Sequence, residues 1–238
     1  EAVYTITSLE MRLNHDYFIT TLYGANYGRP PFINWLIIPL AEMMGWERVL
    51  LASRLVAVAA TVTTGVVLAW LTQNLTRNSG LAALSALIFL SGDALFYRGW
   101  LAYSDPLFTL CILGAIACLW VSVLRRRGML LWFAAALLAC GFLTKEQTAY
   151  LYYGVALAAL LLLQRDARQY LLGVNSVLAH AAALAAVVAW NVVLTQGVQN
   201  INTGAIAQKL MTVAIGDYLN QLWLFPLETV LRFAPASL

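Results

Sequence analysis

Charge is what this sequence has least of. Of 238 residues, 14 are Lys or Arg and 11 are Asp or Glu, together 11%, against roughly 25% in ordinary soluble domains. With 62% hydrophobic residues and a mean hydropathy of +0.77, that shortage excludes a soluble domain and leaves an integral membrane protein. Cysteine is scarce too. Cys111, Cys118 and Cys140 lie in apolar runs at no metal-ligand spacing, so they read as small buried hydrophobes and not as a disulfide framework. Of the two histidines, His180 stands alone among alanines and reads as a packed residue bonded to a neighbouring helix, and His15 has no ligand partner at a recognised spacing. Gly-rich phosphate loops, paired-cysteine clusters and nucleophile elbows are all missing. A net charge of +3 gives no reason to expect a nucleic-acid partner. The chain opens on Glu1 with neither Met nor a signal peptide, and it reads as a fragment.

Long apolar runs are what it has in quantity. They cover about 49–72, 80–92, 106–124, 129–143, 147–164 and 171–195. They are hydrophobic all round, without the period of two that barrel strands show. The fold class expected is therefore all-α: a polytopic membrane helix bundle of about six spans. Ile6, Leu9 and Leu13 recur at helical spacing, which predicts an amphipathic interfacial helix over residues 1–15. The run 33–44 is too short for a ~30 Å core that takes roughly 20 residues, so it reads as a juxtamembrane or re-entrant helix. The division expected within a single transmembrane unit, 1–238, is a loop with juxtamembrane helices over 1–46, six spans over 47–195, and an outer loop over 196–238 in which 222–238 can begin a seventh span.

Arginine placement sets the orientation. The loops after the first, third and fifth runs carry Arg77, Arg125, Arg126, Arg127, Arg165 and Arg168, opposed only by Asp166. The positive-inside rule makes these loops cytoplasmic. The other ten acids then fall on the opposite face. Acids contribute little to topology, so their one-sidedness points to an outer face that carries chemistry.

That face has three features. The stretch 16–36 holds Tyr27-Gly28-Arg29-Pro30-Pro31, in which the prolines bar Arg29 from helix and make a rigid cationic loop. Between the second and third runs lie Asp93, Tyr97, Arg98, Trp100, Tyr103, Ser104 and Asp105. Asp105 there is either an N-cap for a helix opening at Pro106 or a functional carboxylate. Thr144-Lys145-Glu146 separates two apolar runs, where a lysine must be solvated or paired. Arg54, about a turn into the first run, fits a snorkelling residue as well as a ligand.

Taken in series, Glu1-Ala2-Val3-Tyr4, Asn14-His15-Asp16-Tyr17, Tyr23-Gly24, Arg29-Pro30-Pro31 with Trp35, Gly45 and Arg54 resemble the first extracytoplasmic loop of the GT-C membrane glycosyltransferases. The group resembled is that of the protein O-mannosyltransferases and lipid A aminoarabinose transferases (family 39-like). Ser104-Asp105-Pro106 resembles that group's second acidic motif, and Leu143-Thr144-Lys145 its Leu-Thr-Lys-Gly. The resemblance implies transfer of a sugar from a polyprenyl-phosphate donor to an extracytoplasmic lipid, glycan or protein, with inversion, at the plasma (inner) membrane. It implies Glu1 and Asp105 as catalytic acids, Arg29 and Lys145 as donor-phosphate ligands, and Tyr4, Tyr27, Tyr97, Trp100 and Tyr103 as sugar- or acceptor-contacting aromatics.

Departures from the family pattern bear on these roles. Glu1 aligns with the second acid of an Asp-Glu pair, so the family's catalytic Asp would precede it, as would a first span; the fragment alone is therefore expected to be inactive. Arg29 stands for a lysine and Glu146 for a glycine. Gly28 stands where some relatives have an acidic metal ligand, so no metal site and no cofactor are carried over, though a divalent metal stays open, as does oligomeric state. The rival reading is a transporter or flippase for anionic lipid-linked substrates, which needs ionisable groups near mid-membrane.

Overall fold

The computed structural model describes residues 2–92 and 99–197, with side chains to residue 192. Glu1, Asp93, Tyr97, Arg98 and the expected seventh span over 222–238 lie outside the described residues. The described chain is helical apart from one small ribbon. Its helices are α1 (Ala2–Asn14), α2 (Phe32–Met44), α3 (Val49–Thr76, preceded by a 3-10 turn at Trp46–Arg48), α4 (Ser79–Ser91), α5 (Asp105–Arg125), α6 (Met129–Lys145), α7 (Thr148–Leu163), α8 (Arg165–Leu171) and α9 (Val174–Gly197).

Three stretches are long and apolar enough to cross a membrane: Trp46–Thr76, Asp105–Arg125 and Val174–Val192. The 21 residues of α5 reach about 30 Å at ~1.5 Å per residue, the thickness of a hydrocarbon core. The other three expected spans form apolar helices of 13, 17 and 16 residues. The run read as 171–195 begins at Val174, because Arg165–Leu171 forms the separate short helix α8 where a loop was expected.

The core is built on α5 and α6. Phe108, Ile112, Ala115 and Leu119 make one buried stripe, and Leu131, Ala134, Leu138 and Phe142 make the stripe facing it. Two glycines let the helices close. A Cβ on Gly114 would meet Leu137 at 3.0 Å, and one on Gly141 would meet Ile112 at 3.0 Å. Apolar surface between helices gains little in lipid, so such small-residue approaches supply the packing. A second cluster, with Ile33 and Ile37 against Val56, Ala60, Leu107 and Cys111, seats α2 across the N-terminal halves of α3 and α5.

α1 keeps the apolar stripe of an interfacial helix on its open side and packs its hydroxyl side against the bundle. Leu9 and Leu13 are exposed, whereas Thr5, Thr7, Ser8 and Met11 are buried. The reason is Asn34. Its fully buried Nδ2 donates to Thr7 Oγ1 at 2.7 Å and Ser8 Oγ at 2.9 Å, so α1 turns its hydroxyls inward to meet α2. The chain then forms a two-residue hairpin, Thr21–Leu22 against Ala25–Asn26, turned by Tyr23 and Gly24 at φ 54° and 73°. Two consecutive positive φ values mark a I′-type turn. Thr20 donates to the Arg29 carbonyl at 2.7 Å and fastens the arginine segment beneath the hairpin.

Removing the Asn34 side chain with Asn34→Ala is expected to cost about 1–3 kcal/mol, because the hydroxyls of Thr7 and Ser8 lose a buried partner. Asn191 only bonds its own helix, and Asn191→Ala should stay within about 0.5 kcal/mol; thermal unfolding in detergent compares them. For orientation, Tyr23→Cys, at an 81% exposed position, should react with an impermeant maleimide on intact cells, and Arg126→Cys should not. Labelling of position 126 from outside overturns the assignment.

Candidate active site

Antiparallel packing of α5 and α6 sets the first residue of one beside the last residue of the other. Asp105 opens α5, and its Oδ1 lies 2.5 Å from Nζ of Lys145, which closes α6. Ser104, not Asp105, holds the N-cap position, so the capping role weighed for Asp105 does not hold. Its carboxylate turns to the lysine. Lys145 also sits 5.4 Å from the Phe108 ring centroid, so the ammonium is held by a carboxylate and an aromatic face together. Tyr4 donates to Ser104 Oγ at 2.8 Å, tying α1 to the start of α5.

Glu146 follows Lys145 at φ 53° and ψ −139°. That region is close to glycine-only and costs another residue about 1–3 kcal/mol, which explains why the family pattern has glycine here. Its N–H caps α6 by donating to the Phe142 carbonyl at 2.7 Å. The carboxyl is half-buried. Burial pushes its pKa above the usual glutamate value, and the nearby Arg29 guanidinium opposes that shift. Arg29 therefore lies within electrostatic reach of the residue next to Lys145, and its guanidinium stands 5.6 Å from the Tyr27 ring centroid.

Tyr4, Tyr27, Arg29, Asp105 and Lys145 thus share one end of the bundle. Trp100 stands with Arg54, whose guanidinium lies 4.9 Å from the indole centroid. Tyr103, two residues before Asp105, is exposed. Glu1 and Tyr97 lie outside the described residues. Asp16, part of the sequence resemblance, serves the backbone: its Oδ1 accepts from Phe18 N at 2.9 Å and Ile19 N at 3.1 Å. Glu10 accepts from Thr21 Oγ1 at 2.5 Å and Gly24 N at 3.3 Å; the Thr21 bond holds its carboxyl below the usual range. Sequence reasoning missed Phe108 and gave Glu146 no partner; the charged residue at a glycine position was the signal available. No cluster of three His, Cys, Asp or Glu side chains able to hold a metal occurs among the described residues.

A cleft of about 420 Å³ lies between α2, α3 and α5, with Trp35, Leu40, Leu55, Ala60 and Leu107 among its walls. Thr63 is its one hydroxyl, and Leu107 places it two residues from Asp105.

A helical bundle with long apolar spans and a charged and aromatic cluster at one end defines a multi-pass membrane protein. The sequence model of one family, dolichyl-phosphate-mannose-protein mannosyltransferase, matches residues 2–202, and the chain belongs to that family. A relative from Edwardsiella ictaluri (strain 93-146), undecaprenyl phosphate-alpha-4-amino-4-deoxy-L-arabinose arabinosyl transferase, is 28% identical over 149 residues. That match covers 61% of this chain and 27% of the relative. No solved structure matches.

Glu146 yields a pH prediction. Its pKa is raised in the folded state, so its contribution is fully present below the ordinary glutamate value and is lost as pH rises through the folded value. Wild type and Glu146→Gln should melt together at low pH, and wild type should fall progressively below the variant as pH rises to neutrality. Parallel melting curves across that window contradict the shift.

Proposed function

We propose that this chain carries the donor site and part of the catalytic site of a membrane glycosyltransferase. It moves a hexosyl or pentosyl group from a polyprenyl-phosphate donor to an extracytoplasmic lipid, glycan or protein hydroxyl, with inversion. The observation that carries this reading is the Asp105–Lys145 pair, with Arg29 in the field of the adjacent Glu146 and an apolar cleft lined by Leu107, two residues along α5 from Asp105. Such a donor is apolar along its tail and, as a phosphodiester, monoanionic at its head. The cleft suits the first part of the prenyl chain, and the two cations suit the phosphate.

Lys145 neutralises Asp105 in the empty site. An arriving phosphate competes for the ammonium and frees the carboxylate. Asp105 then takes the proton of the acceptor hydroxyl as its oxygen bonds to the anomeric carbon. The bond from that carbon to the phosphate oxygen breaks, and polyprenyl phosphate leaves with its negative charge held by Lys145 and Arg29. Tyr27 and Tyr103 offer aromatic faces for the sugar, and Tyr4 keeps Ser104 in register. A flippase is less well supported: Arg54, within two turns of the start of α3, is the charged residue of that helix, and none lies inside α5 between Asp105 and Arg125.

Asp105→Asn in the full-length, membrane-reconstituted enzyme should lower turnover by roughly 10²-fold or more, the scale of an acid–base contribution. Stability should shift by only about 0–1 kcal/mol, because the Asp105 side chain is 69% exposed and exposed pairs contribute little. Arg29→Ala and Lys145→Ala should each weaken donor binding by roughly 10- to 150-fold, the equivalent of one charge-assisted bond. Near-normal transfer by Asp105→Asn removes its proton role, and unchanged donor binding in both alanine variants removes the phosphate site.

A further inference from the structure

The opposite end of α5 holds a second site, about 30 Å away over 20 residue steps of ~1.5 Å. Three consecutive arginines, 125 to 127, close the helix there. The cap does more than stop it. Arg126 adopts φ 53°, and the backbone N–H groups of Arg126 and Arg127 both donate to the Ser122 carbonyl. Ser122 Oγ in turn donates to the Arg127 carbonyl at 3.0 Å. This left-handed cap satisfies the helix end from within, so the arginine side chains are not needed to bond its last carbonyls.

The same turn sorts the arginines. Arg126 is sent over Tyr170, 5.1 Å from its ring centroid. Arg125 and Arg127 go to the other side and line a cleft of about 300 Å³ with Trp70, Asn74, Val121 and Leu130. Arg125 Nε donates to Asn74 Oδ1 at 3.4 Å, and Asn74 Nδ2 is held by the Trp70 carbonyl at 2.8 Å. Asn74 therefore orients one guanidinium. Among the described residues, neither Arg125 nor Arg127 has an ion pair; the pairs seen are Arg12–Glu42, Arg48–Glu47 and Lys145–Asp105. Two convergent cations thus face a cavity that supplies no anion of its own.

We propose that this cleft binds the phosphate headgroup of an anionic membrane lipid. Two guanidiniums match a phosphate by charge and geometry. A free inorganic or nucleotide phosphate would share that chemistry, but the remaining walls favour an amphiphile. Trp70, Val121 and Leu130 are apolar or amphipathic, and Leu75, Leu124 and Met129 continue an exposed apolar surface beside them. Indole and aliphatic walls next to cations at the end of a span suit a glycerol backbone and the first acyl carbons. The site is separate from the proposed donor site, so the two readings fail independently.

Native mass spectrometry of the purified protein tests this, with phosphatidylglycerol, phosphatidylcholine and inorganic phosphate as probes. Phosphatidylglycerol should be retained over phosphatidylcholine. The double variant Arg125→Gln, Arg127→Gln should weaken phosphatidylglycerol binding by roughly 10- to 30-fold, from about a kcal/mol per basic group. Arg165→Gln, an exposed arginine outside the cleft, should change it less than about twofold on the same scale. Single substitutions serve if the double variant melts early, each giving part of the loss. Equal retention of both lipids, or unchanged binding in the arginine variants, overturns the proposal. Displacement of the lipid by millimolar inorganic phosphate overturns the lipid assignment in favour of a free anion.

Discussion

The close antiparallel approach of α5 and α6 is the constraint on which the rest of this structure depends. At Gly114 and Gly141 an added Cβ would crowd the Leu137 and Ile112 side chains at 3.0 Å, so glycine leaves room for this close packing. Inside the apolar layer there is room for stripes of Ala, Leu, Ile and Phe and for nothing ionised. Charge is thereby confined to the ends. At one end the geometry is complementary twice over, because Asp105 occupies the positive end of one helix dipole and Lys145 the negative end of its neighbour. The ion pair follows from helix packing as much as from attraction between the two side chains.

The Asp105–Lys145 end is assembled from segments far apart in the chain, each held by its own device. A buried amide at Asn34 turns the hydroxyl face of α1 inward and so delivers Tyr4 to Ser104. A two-residue hairpin and the Thr20–Arg29 bond hold the cationic segment. A strained turn at Glu146 aims a half-buried carboxyl into the field of Arg29. Strain of that kind persists where surrounding packing over-determines the backbone, and it is found with the charged groups of a site more often than elsewhere. Here it stands directly beside Lys145.

The arginine end of α5 solves a different problem. The positive-inside expectation needs only the number and side of its arginines. Their placement adds something that number does not require. The left-handed cap at Arg126 divides one run of three into an aromatic contact and a cationic cleft. One sequence feature thus serves topology and, through its backbone turn, a defined surface.

Much of the fold was legible in the residues alone. Scarcity of charge and all-round hydrophobicity set an all-α membrane bundle, because helices and closed barrels are what satisfy the backbone in lipid, and the runs lack the period of two of barrel strands. Run ends marked by Pro106, Arg125 and Lys145 sit within a residue or two of the helix ends. The grouping of Arg29, Asp105 and Lys145 on one face followed from counting runs. Sequence could not show that Asp105 would abandon a capping role for Lys145, since that needs α6 placed against α5. Nor could it show that α1 buries its hydroxyls against Asn34, because apolar periodicity names a stripe but not what lies opposite it. Those outcomes depend on which polar group finds a partner across a helix interface, and only the tertiary structure brings the partners together.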